Sequence, residues 1–166
     1  MIENGTIANV YSRLEIALGG SNIIIVGGAA VKLIADPSRK LNDIDILVAL
    51  NYSEFLRREK QLGICGFELR NGKIITLFDK ENKIEIDLGY KKDFGIKGQI
   101  LGNPNKEVHS TAVTKTLKYH GGTVICRIMA PAQLLRMKVA LLLYRKSRAK
   151  RNADKKDIIS ILKKFY

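Results

Sequence analysis

Residues 23–48, IIIVGGAAVKLIADPSRKLNDIDILV, constrain this chain more than any other stretch. Ile23 to Val26 are four apolar, β-branched residues, the composition of a short buried strand. Gly27-Gly28 follow, then Ala29 to Ala35, a small apolar run with good helix formers. Asp36-Pro37-Ser38 breaks that helix, and Asp43-Ile44-Asp45-Ile46-Leu47-Val48 reads as a second strand. A strand that passes through glycines into a helix aims bare backbone N–H groups at an anion, usually phosphate. Alternation puts Asp43 and Asp45 on one strand face and turns Ile44 and Ile46 toward the core. Carboxylates so close repel unless a cation lies between them, and hard Mg²⁺ prefers such oxygen ligands. A phosphate cradle beside a carboxylate pair outlines a site for a nucleoside triphosphate.

Gly-Gly, a short helix, then Asp-x-Asp between apolar residues resembles the signature of the polymerase-beta-like (minimal) nucleotidyltransferase superfamily. In that family a third carboxylate comes from a later strand, and KIEIDLGY offers Asp87 between apolar neighbours. Glu85 shares the face of Asp87 by alternation and is its rival; the resemblance places the family acid at Asp87. The AbiEii/MenT toxin-like branch also has a helical tail with a Lys, an Arg and a Lys-Asp pair. Lys138, Arg145 and Lys156-Asp157 match that order.

The resemblance implies an α/β (α+β) nucleotidyltransferase fold, a small mixed sheet flanked by helices with a C-terminal helical tail. It implies Mg²⁺-dependent transfer of a nucleoside monophosphate from an NTP to an acceptor hydroxyl, with two ions held by Asp43, Asp45 and Asp87. Gly27 and Gly28 would admit the phosphates, and Lys138 and Arg145 would contact them, with Asp157 orienting either cation through an ion pair. Arg39 joins this set by its nearness in sequence to the carboxylates. The toxin-type relatives point to RNA, tRNA above all, as acceptor and to an antitoxin protein as partner. A small-molecule antibiotic acceptor is the rival transferase reading, and a catalytically inactive nucleotide- or nucleic-acid-binding module is the rival from another class.

Charge weighs on that choice. Lys and Arg number 29 against 16 Asp and Glu, a net +13. Eleven of the basic residues lie after Ala132, against only Asp154 and Asp157. Such a field attracts polyanions and repels polycations such as aminoglycosides. Lys146, Arg148, Lys150 and Arg151 are the densest part and are expected to bind nucleic acid, wrapping a helix end and the loop after it.

At 166 residues the chain is expected to form one domain, with a catalytic core over 1–129 and a basic helical tail over 130–166. No apolar run approaches the roughly 20 residues of a membrane span, and no signal peptide is visible, so a cytoplasmic protein is expected. Cys65 and Cys126 stand far apart without metal-ligand spacing and read as buried hydrophobes. A first helix is expected over Thr6–Leu18, stopped by Gly19-Gly20, and another over Tyr52–Leu62, capped by Ser53. Strands are expected over Phe67–Arg70, Lys73–Phe78 and Lys83–Leu88, with Asn71-Gly72 as a hairpin turn, and a second hairpin around Gly121-Gly122. Lys91–Lys118 shows no sustained period. Pro131 opens the longest helix, whose expected buried stripe is Leu134, Leu135, Val139, Leu142 and Leu143. A last helix is expected from a cap at Asn152-Ala153-Asp154 to Lys164, with Ile158, Ile161 and Leu162 inward.

Overall fold

A computed structural model describes residues 2–20, 23–70, 76–89 and 105–166. The opening helix α1 (Asn4–Leu18) buries Ile7, Val10, Tyr11, Leu14 and Leu18, a single stripe at helical spacing. Gly19, left-handed at φ 76°, ends it by returning its N–H to the Glu15 carbonyl at 3.0 Å. Strand β1 (Ile23–Val26) is buried throughout, as its unbroken apolar run requires. Helix α2 (Gly27–Ile34) and strand β2 (Asp43–Val48) follow. Two short helices, α3 (Tyr52–Leu56) and α4 (Glu59–Ile64), lead to strands β3 (Phe67–Arg70), β4 (Thr76–Asp79) and β5 (Ile84–Gly89). Then come α5 (Asn105–Thr111), the hairpin β6 (Val113–Tyr119) and β7 (Gly122–Ile128), and helices α6 (Pro131–Tyr144) and α7 (Arg148–Phe165).

The described strands form a mixed sheet in the order β3-β4-β5-β2-β1-β7-β6. β1 lies antiparallel to β2 and parallel to β7, and β2 lies parallel to β5. The fold is therefore α/β, a mixed sheet flanked by helices with two helices at its C-terminal end. Tyr11 joins helix to sheet: its hydroxyl donates to the Ile23 carbonyl and accepts the Arg127 N–H at 3.0 Å. Among the described residues no helix is long and apolar enough to cross a membrane.

Several sequence expectations need correction. The helix expected over Tyr52–Leu62 is two helices, and its cap is Asn51, which closes a capping box with Glu54, rather than Ser53. α7 begins four residues before the expected cap: the Ser147 hydroxyl accepts the Lys150 N–H, so Arg148, Lys150 and Arg151 belong to the helix. α6 buries Leu134, Met137, Lys138 and Leu141, while Val139 and Leu143 are exposed. In α7 Ile161 is buried but Leu162 is exposed, and the inward positions beside Ile161 belong to Asp154 and Asp157. Cys126 is buried, its thiol pushed up to about 12 by burial, whereas Cys65 is only half-buried. The Asn71-Gly72 turn, the first part of the Lys73–Phe78 strand and most of the unread segment after Lys91 lie outside the described residues.

A buried ion pair fastens α1 to the turn between β4 and β5. Arg13 Nη2 donates to the fully buried Asp79 Oδ2 at 2.6 Å, and Asn82 Nδ2 donates to the same oxygen at 2.6 Å. Burial alone would raise the Asp79 pKa, but the Arg13 and Asn82 hydrogen bonds outweigh it and hold the group below its usual value. The pair's stabilisation is present above the unfolded-state pKa and is lost as pH falls through the lower folded value. Arg13→Ala strands a buried carboxylate and should cost about 3–5 kcal/mol in urea unfolding at neutral pH. The double variant with Asp79→Ala should cost less than the two single changes added together.

Candidate active site

The acids come together through strand register. β2 pairs in parallel with β5 so that Asp43 stands beside Glu85 and Asp45 beside Asp87. The intervening Ile44, Ile46, Ile86 and Leu88 are buried, so the four carboxylates project from the opposite face. β1 pairs on the other side, Val26 opposite Asp45, and delivers the start of α2 to that position. The Gly28 N–H donates to Asp45 Oδ2 at 3.3 Å. Gly27 is held at φ 59°, and a Cβ there would lie 2.6 Å from the Asp45 Cγ. Only glycine fits, both for the backbone angle and for the carboxylate it must admit. The space left open at Gly27 thus belongs to Asp45.

Electrostatics mark this face as short of positive charge. Burial, and next the charge of Asp43, push the Asp45 carboxyl up to about 6, against the opposing pull of Lys138 and the Gly28 N–H. Asp87 is raised as well, first by burial and then by Asp43 and Glu85, with Lys150 opposing. Glu85 has a cation of its own, Arg70 Nη1 at 3.7 Å. Among the described residues Asp43, Asp45 and Asp87 have no ion pair. No three Asp, Glu, His or Cys side chains among them converge closely enough to hold a metal ion together. The donor set is nevertheless all oxygen, uncompensated and gathered on one face, which fits a hard divalent cation.

Close to Asp45 runs a chain of alternating charge. Asp157 accepts from Arg39 Nε at 2.7 Å through one oxygen and meets Lys138 Nζ at 2.8 Å through the other. Lys138 also donates to Asp154 Oδ1 at 3.0 Å. The second oxygen of Asp154 lies 2.8 Å from Arg145 Nε, a charge contact in which the N–H is not directed along the line of centres. Lys138, Asp154 and Asp157 are each no more than 3% exposed, so their charges must be mutually satisfied. Arg39 and Arg145 sit at the ends, a quarter to a third open. Arg39 is held from below by Lys32, whose buried ammonium donates to the carbonyls of Pro37 and Arg39. Of the expected nucleotide contacts, the structure thus joins Arg39, Lys138 and Arg145 in one network, with Lys138 enclosed. Sequence reasoning missed Asp154, taken for part of a helix cap; its spacing of three from Asp157, on one side of the helix, was the available signal. Lys146, Arg148, Lys150 and Arg151 are exposed at the start of α7 and make no ion pair among the described residues.

The raised Asp45 pKa gives a stability prediction. Between the ordinary carboxylate value and about 6 the folded state holds a proton that the unfolded state releases, so this group's contribution falls as pH rises through that window. In metal-free buffer at pH 7 Asp45→Asn should therefore raise Tm by a few degrees, keeping an oxygen for the Gly28 N–H. That gain should shrink toward pH 5, where wild-type Asp45 is itself protonated. Differential scanning calorimetry across this range checks both points.

No family model matches the sequence, and no curated protein does either. Among solved structures, the chain resembles an antigenic nucleotidyltransferase-like protein from Paracoccidioides brasiliensis, with a TM-score of 0.62 and 23% identity. The likeness covers 97% of this chain and 76% of that one. The mixed sheet and its flanking helices therefore form a nucleotidyltransferase-like fold.

Proposed function

We propose that this protein is a nucleotidyltransferase that moves a nucleoside monophosphate from an NTP to a hydroxyl of RNA. The observation that carries this reading is the register that sets Asp45 beside Asp87 on one face, against the glycine start of α2. Asp43, Asp45 and Asp87 line the face that would take Mg²⁺, and the ion would supply neutralisation of the triphosphate charge and favour ionisation of the acceptor hydroxyl. In the reaction the acceptor oxygen forms a bond to the α-phosphorus, the bond from that phosphorus to the bridging oxygen breaks, and pyrophosphate leaves. The proton that the hydroxyl gives up passes to water. Arg145, anchored through Nε by Asp154, keeps its outer nitrogens for a phosphate. Lys138 works one step back: its enclosed ammonium fixes both aspartates, and through them Arg39 and Arg145. It is a positioning residue in this reading, in place of the direct phosphate contact expected from the sequence.

RNA is favoured as acceptor by the surface charge at the C-terminal end. Both acids after Ala132 are buried in the network, so the exposed charges there are all basic. Arg148, Lys150 and Arg151 crowd the first turns of α7, where the positive helix end already disfavours cations. A polyanion lying there relieves both. About four phosphate contacts on a single strand would give a slope near −2.8 for log K against log salt. Changing Lys146, Arg148, Lys150 and Arg151 to Glu should abolish that binding and leave NTP affinity intact.

The test is incubation with each α-labelled NTP, Mg²⁺ and total cellular RNA. Label should enter RNA with release of pyrophosphate, and both should vanish in Asp43→Asn and Asp45→Asn proteins that still melt cooperatively. Undiminished transfer by Asp43→Asn would overturn the assignment. Pyrophosphate release with no label in RNA would move the acceptor to a small molecule.

A further inference from the structure

The acid face carries a feature that neither metal binding nor triphosphate binding uses. Strand β4 pairs with β5 so that Thr76 stands beside Asp87 and Phe78 beside Glu85. β3 pairs in turn with β4, Glu68 beside Phe78 and Arg70 beside Thr76. Side chains paired across strands share a face, so Arg70, Phe78 and Glu68 project on the same side as Asp43, Asp45 and Asp87. There the Arg70 guanidinium lies over the Phe78 ring, its Cζ 3.9 Å from the ring centroid. Two carboxylates steady it, Glu68 at 3.6 Å from Nε and Glu85 at 3.7 Å from Nη1. The Arg70 side chain is still 43% exposed. The result is a guanidinium plane stacked on an aromatic ring, one to two strands from the third carboxylate.

We infer that Arg70 stacked on Phe78 is a base-stacking platform, which holds an unpaired nucleotide of a single-stranded RNA acceptor beside Asp87. The inference rests on the nucleotidyltransferase reading above and specifies the acceptor: unpaired at the end that reacts. Three points carry it. Arg guanidinium planes and aromatic rings are the surfaces on which protein sites stack unpaired bases, whatever the base. A lone surface ion pair would gain little from being flat, whereas a stack requires a plane, and here the Phe78 ring sets it, with Glu68 and Glu85 beside the guanidinium. The charge of Lys150, in the first turn of α7, is felt at Asp87, so the basic start of that helix lies near the third carboxylate. A strand whose phosphates follow α7 and whose base reaches Arg70 passes that carboxylate. A duplex end buries its bases in pairs and offers the platform little.

The experiment measures binding of a fluorescein-labelled single-stranded RNA of about twelve nucleotides, within the span that such grooves cover. Anisotropy is read without NTP at several salt concentrations, for wild type, Phe78→Leu and Arg70→Lys. Phe78→Leu keeps the apolar filling and Arg70→Lys keeps the charge; both remove the stack. Each should weaken binding roughly five- to a hundredfold, the usual worth of one stacked base. Phe78→Leu should leave the salt slope unchanged, because no phosphate contact is lost. NTP affinity should not change in either variant, and the same RNA annealed to its complement should bind all three proteins alike. Equal single-strand binding by all three proteins, or no binding by wild type at low salt, overturns the platform. Wild-type transfer to RNA that persists in both variants with unchanged KM for RNA would retain the transferase reading and discard the platform. Weakened binding without any transfer by wild type would do the reverse.

Discussion

Asp45 has to place a carboxylate against the backbone where β1 becomes α2, and the arrangement of the site follows from that constraint. The carboxylate accepts the Gly28 N–H and occupies the space that any side chain at position 27 would fill. β1 must therefore end at a residue able to hold φ 59°, and β2 must run antiparallel to it with Val26 opposite Asp45. β5 on the other side then fixes Asp87. Several positions answer to one steric demand, so the glycine pair and the Asp-x-Asp strand cannot vary independently.

On the acid face Asp43, Asp45 and Asp87 have no ion pair among the described residues, and burial, together with the neighbouring acids, raises the pKa values of Asp45 and Asp87. In the neighbouring network the opposite rule holds, where Asp157, Lys138 and Asp154 are buried and every charge has a counterpart. Burial without partners would cost several kcal/mol per ion, so this chain has to form as a unit. It ties α6 to α7, and through Arg39 ties both to the connection that precedes the acids. The three aspartates are left without ion pairs, whereas the network is satisfied where geometry has to be kept.

Sequence periodicity made one part of this legible. The apolar run of β1 and the Asp-Ile-Asp-Ile alternation that opens β2 define those strands to the residue, because a stretch buried on both faces and a stretch buried on one leave different patterns. Asp43, Asp45 and Asp87 were readable for the same reason. The tail was harder. In α6 the eye follows Leu135, Val139 and Leu143, yet the helix turns Lys138 inward, because two aspartates from a distant stretch neutralise it. A buried charged residue looks like a solvated one in sequence; only the partner tells them apart. Asp154 was lost to the same ambiguity, since it resembles a helix cap, while the real cap, Ser147, sits inside a basic run that reads as loop. The Arg70 and Phe78 stack depends on the register between β3 and β4: a two-residue turn at Asn71-Gly72 would set Arg70 opposite Lys73, whereas Arg70 pairs with Thr76.

The central claim is that the shared face of Asp43, Asp45 and Asp87 takes a divalent cation together with a triphosphate. Electron paramagnetic resonance of Mn²⁺, titrated into the protein with a non-hydrolysable NTP analogue, tests it most directly. Wild type should quench the free-ion signal at near-stoichiometric concentrations, and Asp43→Asn and Asp45→Asn should leave the ion free at the same analogue concentration. Glu85→Gln, which changes the acid already paired with Arg70, should behave as wild type. Equal Mn²⁺ uptake by wild type and both aspartate variants would contradict the account.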